Sequence, residues 1–207
     1  FYLYQSRWRP ELPIVHILPH WNWPNRVGEV TPVHIFTSGD EAELFLNGQS
    51  LGRKKKAEFE YRIRWDDVKY QAGELKVVAY KNGKFWAQET LKTTDKTAKL
   101  LATADRKKIK ADGEDLAFIT IKITDKNGLM VPDANNKINF SLEGLGEIVS
   151  TDNGDPASLV SFASHEREAY NGMALVIVRA KKGIKGKMKL IITADGLEKT
   201  TIEIKSY

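Results

Sequence analysis

The chain has 207 residues, with 32 Lys and Arg against 27 Asp and Glu for a net charge of +5, and it contains no cysteine. That length allows one large domain or two of about 100 residues each. Disulfide staples and thiolate metal sites are excluded, and no window approaches the ~18 uncharged apolar residues that a spanning helix needs.

In chain order, Phe1 to Trp8 is an aromatic-rich helical turn or two with no N-cap, and it reads as the tail of an element. Strand-like runs follow at Ile14–Leu18, Val33–Thr37, Ala42–Leu46, Phe59–Ile63, Leu75–Tyr80 and Phe85–Leu91. Ala42, Leu44 and Leu46 alternate with Glu43 and Phe45, the period of a half-buried strand. Asn47-Gly48 and Asn82-Gly83 supply the two positive-φ residues of a type I′ hairpin turn. Arg53 to Lys56 is the one basic run. Lysines are a common guard on a sheet edge, and a polyanion site is the alternative.

The polar stretch Thr93–Thr97 is the best linker candidate, and all five tryptophans precede it. A second strand series then begins: Lys99–Ala104, Leu116–Thr124, Ile138–Leu142, Glu147–Ser150, Met173–Ala180, Met188–Ala194 and Thr200–Ile204. Ile119, Ile121 and Ile123 alternate with Phe118, Thr120, Lys122 and Thr124, so one face should be dry and the other mostly wet. Regular short strands with almost no helical period predict an all-β chain of two tandem immunoglobulin-like β-sandwich domains. The expected boundaries are 1–10 for the helical tail, 11–93 for the first sandwich and 94–207 for the second.

Charge is spread along the chain. There are 14 basic against 11 acidic residues in 1–93 and 18 against 16 in 94–207. No phosphate-tracking stripe is apparent, so nucleic acid is not an expected partner.

Signatures of chemistry are sparse. Carboxylate pairs such as Asp66-Asp67 and Glu114-Asp115 sit at turn or edge positions, where they are usually solvated. His16, His20, His34 and His165 form no metal-ligand spacing, so neither a metal nor a cofactor is called for, and no catalytic residue is assigned. Asp152 to Pro156 is oxygen-rich, but turn chemistry explains it better than a calcium loop does.

Two candidates remain. His20, Trp21, Asn22 and Trp23 would place both indoles on one face if the segment is extended. That face is either a sugar platform or a packed wall, between domains or in the core. The long stretch from Asn153 to Asn171 lacks a clear strand, and such loops are usually functional or packed against something. Asn153, Asp155, Arg167 and Asn171 are its candidate residues, with Arg167 and Asp155 expected to bridge its ends.

Phe1 to Trp8 (FYLYQSRW), His16 to Trp23 (HILPHWNW) and Glu43 to Gly52 (ELFLNGQSLG) resemble bacterial β-galactosidases of glycoside hydrolase family 2, just after the catalytic barrel. Leu101 to Phe118, Val131 to Ala134, Asn153 to Pro156, Arg167 and Ala169 to Leu175 resemble the bacterial Ig-like C-terminal domain of the same enzymes. The resemblance implies a parent that cleaves terminal β-galactosides in carbohydrate metabolism through two barrel glutamates. Neither glutamate has a counterpart here, so this chain is expected to be non-catalytic and to pack on and extend the barrel. The resemblance further implies that Phe1 to Arg9 is the last barrel helix and frays without its partners. The implied partner is the upstream barrel of the same chain. Carbohydrate and a homo-oligomeric contact are further candidates, and periplasmic or extracellular location is expected from the family's habitat. The rival readings are a carbohydrate-binding module using surface tryptophans and an adhesin-like stalk.

Overall fold

The computed structural model describes residues 1–207, which divide into two compact units, Phe1–Thr93 and Thr94–Tyr207. The first unit holds one helix, α1 (Tyr2–Trp8), and seven strands: β1 (Val15–Leu18), β2 (Val33–Thr37), β3 (Glu41–Leu46), β4 (Gln49–Lys55), β5 (Ile63–Trp65), β6 (Glu74–Lys81) and β7 (Lys84–Lys92). They form a three-stranded sheet, β1-β2-β5, and a four-stranded sheet, β4-β3-β6-β7. Every pairing in both sheets is antiparallel.

Alternation decides which side chains close this sandwich. Val33 and Ile35 from one sheet meet Ala42, Leu44, Leu75 and Val77 from the other, and all are buried. Asn47 (φ 49°) with Gly48 (φ 82°) turns β3 into β4, and Asn82 (φ 52°) with Gly83 (φ 73°) turns β6 into β7. These are the two type I′ hairpins expected from Asn-Gly. The expected strand at Phe59–Ile63 is displaced: β5 begins only at Ile63, and Phe59 is 89% exposed. Here the Glu60 carboxylate accepts the N–H of Ala57, and the Glu60 N–H donates to the Ala57 carbonyl, which closes a turn. A local turn bond wins over the apolar character of a single Phe.

Arg53, Lys54 and Lys55 of the basic run fall on β4, which is an edge strand, and Lys56 follows it. Three of the four cations are engaged. The Arg53 guanidinium lies 3.6 Å from the Tyr80 ring centroid, and Lys54 and Lys56 donate to the carbonyls of Arg64 and Thr37. Burial pulls the Lys56 pKa below its ordinary value, with Arg7 acting in the same direction.

The second unit contains β8 (Lys99–Ala104), β9 (Lys108–Ile109), β10 (Leu116–Thr124), β11 (Lys137–Gly144), β12 (Gly146–Asp152), β13 (Glu166–Glu168), β14 (Met173–Ala180), β15 (Gly186–Ala194) and β16 (Thr200–Ser206). One sheet runs β12-β14-β10-β8 and the other β13-β11-β15-β16-β9, with only β9 parallel to its neighbour. Ile119, Ile121, Ile123, Val176 and Val178 pack against Ile138, Leu190, Ile192 and Ile204.

Gly144-Leu145-Gly146 is the corner where the chain leaves one sheet for the other. A Cβ on Gly144 would meet the Lys187 carbonyl oxygen at 2.3 Å, and one on Gly146 would meet the Met188 Sδ at 2.1 Å. Only glycine fits so close a crossing.

Fully buried Asp125 organises the turn after β10. Its carboxylate accepts N–H bonds from Asn127 (2.8 Å), Leu129 (3.0 Å) and Asp95 (3.1 Å). Burial raises its pKa, but these bonds outweigh burial and hold it below the ordinary value. A depressed folded pKa means the carboxylate stabilises fully above about pH 4 and loses that contribution as pH falls through the lower folded value. The urea midpoint of the second sandwich should therefore drop as the pH is taken below about 4. Asp125→Asn should flatten that drop, and parallel pH profiles for the two proteins would refute the assignment.

Candidate functional site

The HWNW segment follows β1 and a cis Leu18–Pro19 peptide bond, and a 3-10 turn at Pro24–Arg26 closes it. Prolines on both sides remove the ladder donors that an extended strand would need. The chain therefore folds back on itself, and the two indoles part company. Trp21 is 1% exposed and belongs to the core. Its indole N–H donates to the Gln71 carbonyl at 2.9 Å, and its ring lies 5.0 Å from that of Tyr70. Its own carbonyl accepts the Thr93 hydroxyl at 2.9 Å, and that hydroxyl also sits 3.1 Å from the Tyr70 Oη.

Trp23 is half-buried, and its ring is not a free face. His20 stacks on it at 4.2 Å and 20°, and the Arg26 guanidinium is 5.8 Å from its centroid. Its indole N–H returns to the His20 carbonyl at 2.9 Å. Asn22 is buried, and its N–H reaches the His20 Nδ1 at 3.3 Å. The segment is not extended, so the two indoles do not share a face, and Trp21 follows the core-packing alternative. One is core, and the other is capped by its own neighbours.

Phe1 to Trp8 is helical from Tyr2 onward, as α1. Ser6 is the helix's buried residue and donates to the Leu3 carbonyl at 2.9 Å, while the Tyr2 ring stacks on His16 at 3.6 Å. His16 is itself held, its Nδ1 lying 3.2 Å from Glu89 Oε1. Phe1, Tyr4 and Trp8 remain largely exposed.

In the second sandwich the Asn153–Asn171 stretch is more ordered than its sequence suggests. Asp152 Oδ1 accepts the N–H groups of Asn153 and Gly154, Asn153 Oδ1 that of Asp155, and Asp155 Oδ1 that of Ala157. These are successive Asx turns. Arg167, on β13, is 2% exposed and does not bridge to Asp155. It donates instead to the carbonyls of Thr151 (2.7 Å), Ser161 (2.8 Å) and Val160 (2.9 Å). Asp155 is engaged in a short-range Asx turn, and the guanidinium fork turns instead to the loop's carbonyls and to the Thr151 hydroxyl oxygen. The loop so held presents Leu159, which is 98% exposed, together with Phe162.

Asn171 lies in a feature the sequence reading passed over. Asn171 (φ 51°) and Gly172 (φ 75°) form a third type I′ turn, with Tyr170 and Met173 exchanging backbone bonds of 2.9 and 3.1 Å. Its signal was the same Asn-Gly pair used twice upstream.

One member of each acidic pair is engaged. Arg64 donates twice to Asp66 Oδ1, at 3.0 and 2.8 Å, and Asp115 Oδ2 accepts the Lys110 N–H at 2.8 Å. No three His, Cys, Asp or Glu side chains converge in a way that could hold a metal ion.

Residues 100–203, half of the chain, match the model of the glycoside hydrolase family 2 C-terminal domain 5. The chain belongs to glycoside hydrolase family 2. Residues 28–87, in the first sandwich, match a domain of unknown function, DUF4982. A beta-galactosidase of Bacteroides ovatus is 38% identical over 205 residues, covering 99% of this chain and 24% of that protein. A putative beta-glucuronidase of Formosa agariphila is 33% identical over 184 residues, or 87% of this chain and 18% of that one. Among solved structures, a family 2 member from Bacteroides cellulosilyticus superposes with a TM-score of 0.93 at 30% identity, covering all of this chain and 30% of its own. This family 2 chain thus spans about a quarter or less of the curated relatives it matches.

Proposed function

We propose that this chain is the non-catalytic C-terminal region of a β-galactosidase-type glycoside hydrolase, bearing on an upstream catalytic barrel. The observation that carries the reading is the match to the Bacteroides ovatus beta-galactosidase over 99% of this chain but only 24% of that protein. The local chemistry agrees with it. Retaining and inverting glycosidases both need two carboxyl groups held across a cleft, whereas in each adjacent acidic pair here one carboxylate, Asp66 or Asp115, is tied to a neighbouring donor. In this reading the exposed aromatics of α1, Phe1, Tyr4 and Trp8, meet the barrel, since aromatic anchors are what buried interfaces select.

A β-glucuronidase parent is the second reading, favoured by the Formosa agariphila match. The full-length protein should hydrolyse a chromogenic β-galactoside faster than a β-glucuronide, and the 207-residue chain should hydrolyse neither. The reverse preference in the full-length protein would select the second reading. Turnover by the isolated chain would overturn both.

A further inference from the structure

The outer face of the five-stranded sheet carries a row of cations that strand pairing builds. Lys205 on β16 is the cross-strand partner of Lys108 on β9 and of Lys187 on β15. Directly paired residues share a face, and adjacent strands lie about 4.8 Å apart, so the three ammonium stems stand side by side. All three are exposed. Like charges directly opposite one another destabilise a sheet, which makes the row a cost to folding.

Two ordinary explanations fall short. Edge protection accounts for Lys108, because β9 is the edge strand, but β15 and β16 are interior. Neutralisation is incomplete as well. Glu203 alone serves two of the three, 3.2 Å from Lys187 and 4.0 Å from Lys205, while Lys108 has no carboxylate partner. Elsewhere on the same sheet each lysine has its own acid, Lys189 with Glu143 and Lys137 with Glu166. Tyr207, two residues beyond Lys205 in the strand alternation, is also exposed and adds an aromatic ring beside the cations.

We propose that this face binds an acidic polysaccharide, with Lys108, Lys187 and Lys205 pairing its carboxylate or sulfate groups and Tyr207 contacting a sugar ring. The choice of glycan over nucleic acid rests on the family 2 reading above. The charge complementarity rests on the lysine row alone.

The test is equilibrium binding of the 207-residue chain to immobilised polygalacturonate, a sulfated galactan, a neutral galactan and duplex DNA, at physiological salt. The two acidic polymers separate carboxylate from sulfate recognition. Binding to at least one of them is expected, with none to the neutral galactan. Replacing Lys108, Lys187 and Lys205 together by Gln should weaken binding at least about tenfold. A control triple on the opposite sheet and its flank, Lys99, Lys122 and Lys126 to Gln, removes the same net charge and should change binding by less than about twofold. Equal losses in the two triples, equal retention by neutral galactan, or tighter binding to DNA than to either glycan would overturn the proposal. Failure of the glycosidase assay on the full-length protein leaves these readouts untouched, so the two readings fail separately.

Discussion

Trp21→Ala will destabilise the first sandwich by about 3–5 kcal/mol, the range for removing a fully buried indole from a core that cannot collapse around the gap. The residue is closed off by Tyr70, its indole N–H satisfies the Gln71 carbonyl, and its carbonyl receives the Thr93 hydroxyl. Losing the side chain therefore opens a cavity and strips the Gln71 carbonyl of its indole donor at once. Urea denaturation followed by the remaining tryptophans reads the effect. Trp23→Ala, at a half-buried ring stacked on His20, should cost less than half as much. The pair of variants also separates a platform from a core. A surface sugar site would lose ligand retention in both variants while both stayed folded. A loss of stability below about 1 kcal/mol in Trp21→Ala would contradict the burial seen here.

Arg167→Leu should release the loop between Asp152 and His165. The guanidinium supplies donors to three backbone carbonyls, and leucine supplies none, so the Thr151 and Val160 carbonyls lose this donor while Ser161 keeps the Ser164 N–H. The expected loss is about 2–4 kcal/mol in the second sandwich, limited because the loop can open to solvent. Limited proteolysis should cut between Ala157 and Ala163 at least about tenfold faster than in the wild type. Arg167→Lys should not restore protection, since an ammonium cannot span three acceptors with the geometry of a planar fork. Cleavage rates indistinguishable among the three proteins would show that the Asx turns alone hold the loop.

The strands were largely legible because their signal is local. Val33–Thr37, Lys99–Ala104, Leu116–Thr124 and Met173–Ala180 fall where alternation puts them, and the Asn-Gly turns follow from backbone sterics at two residues. Phe59 shows the limit: an apolar residue flanked by Glu58 and Glu60 reads like a strand, but a bond across three residues makes it a turn. The short strands β9 and β13 left no periodic signal, since two or three residues are too few to define one.

The candidate sites were legible as places but not as arrangements. Both flagged segments proved structurally special. Yet which indole is buried depends on Tyr70 and Gln71, some fifty residues downstream. Likewise Arg167 pairs with carbonyls rather than with the carboxylate that charge alone would choose.

What the sequence by itself determined is the all-β class and two of the hairpin turns, because periodicity and Asn-Gly chemistry are properties of neighbours along the chain; the kinship to family 2 came from the resemblance of short segments. Only the tertiary structure decided that Trp21 is core, that Arg167 is a loop staple, and that three scattered lysines form one row. Lys108, Lys187 and Lys205 lie in three separate segments when read in order. Strand pairing sets residues from distant segments side by side, and no local pattern encodes which ones will meet.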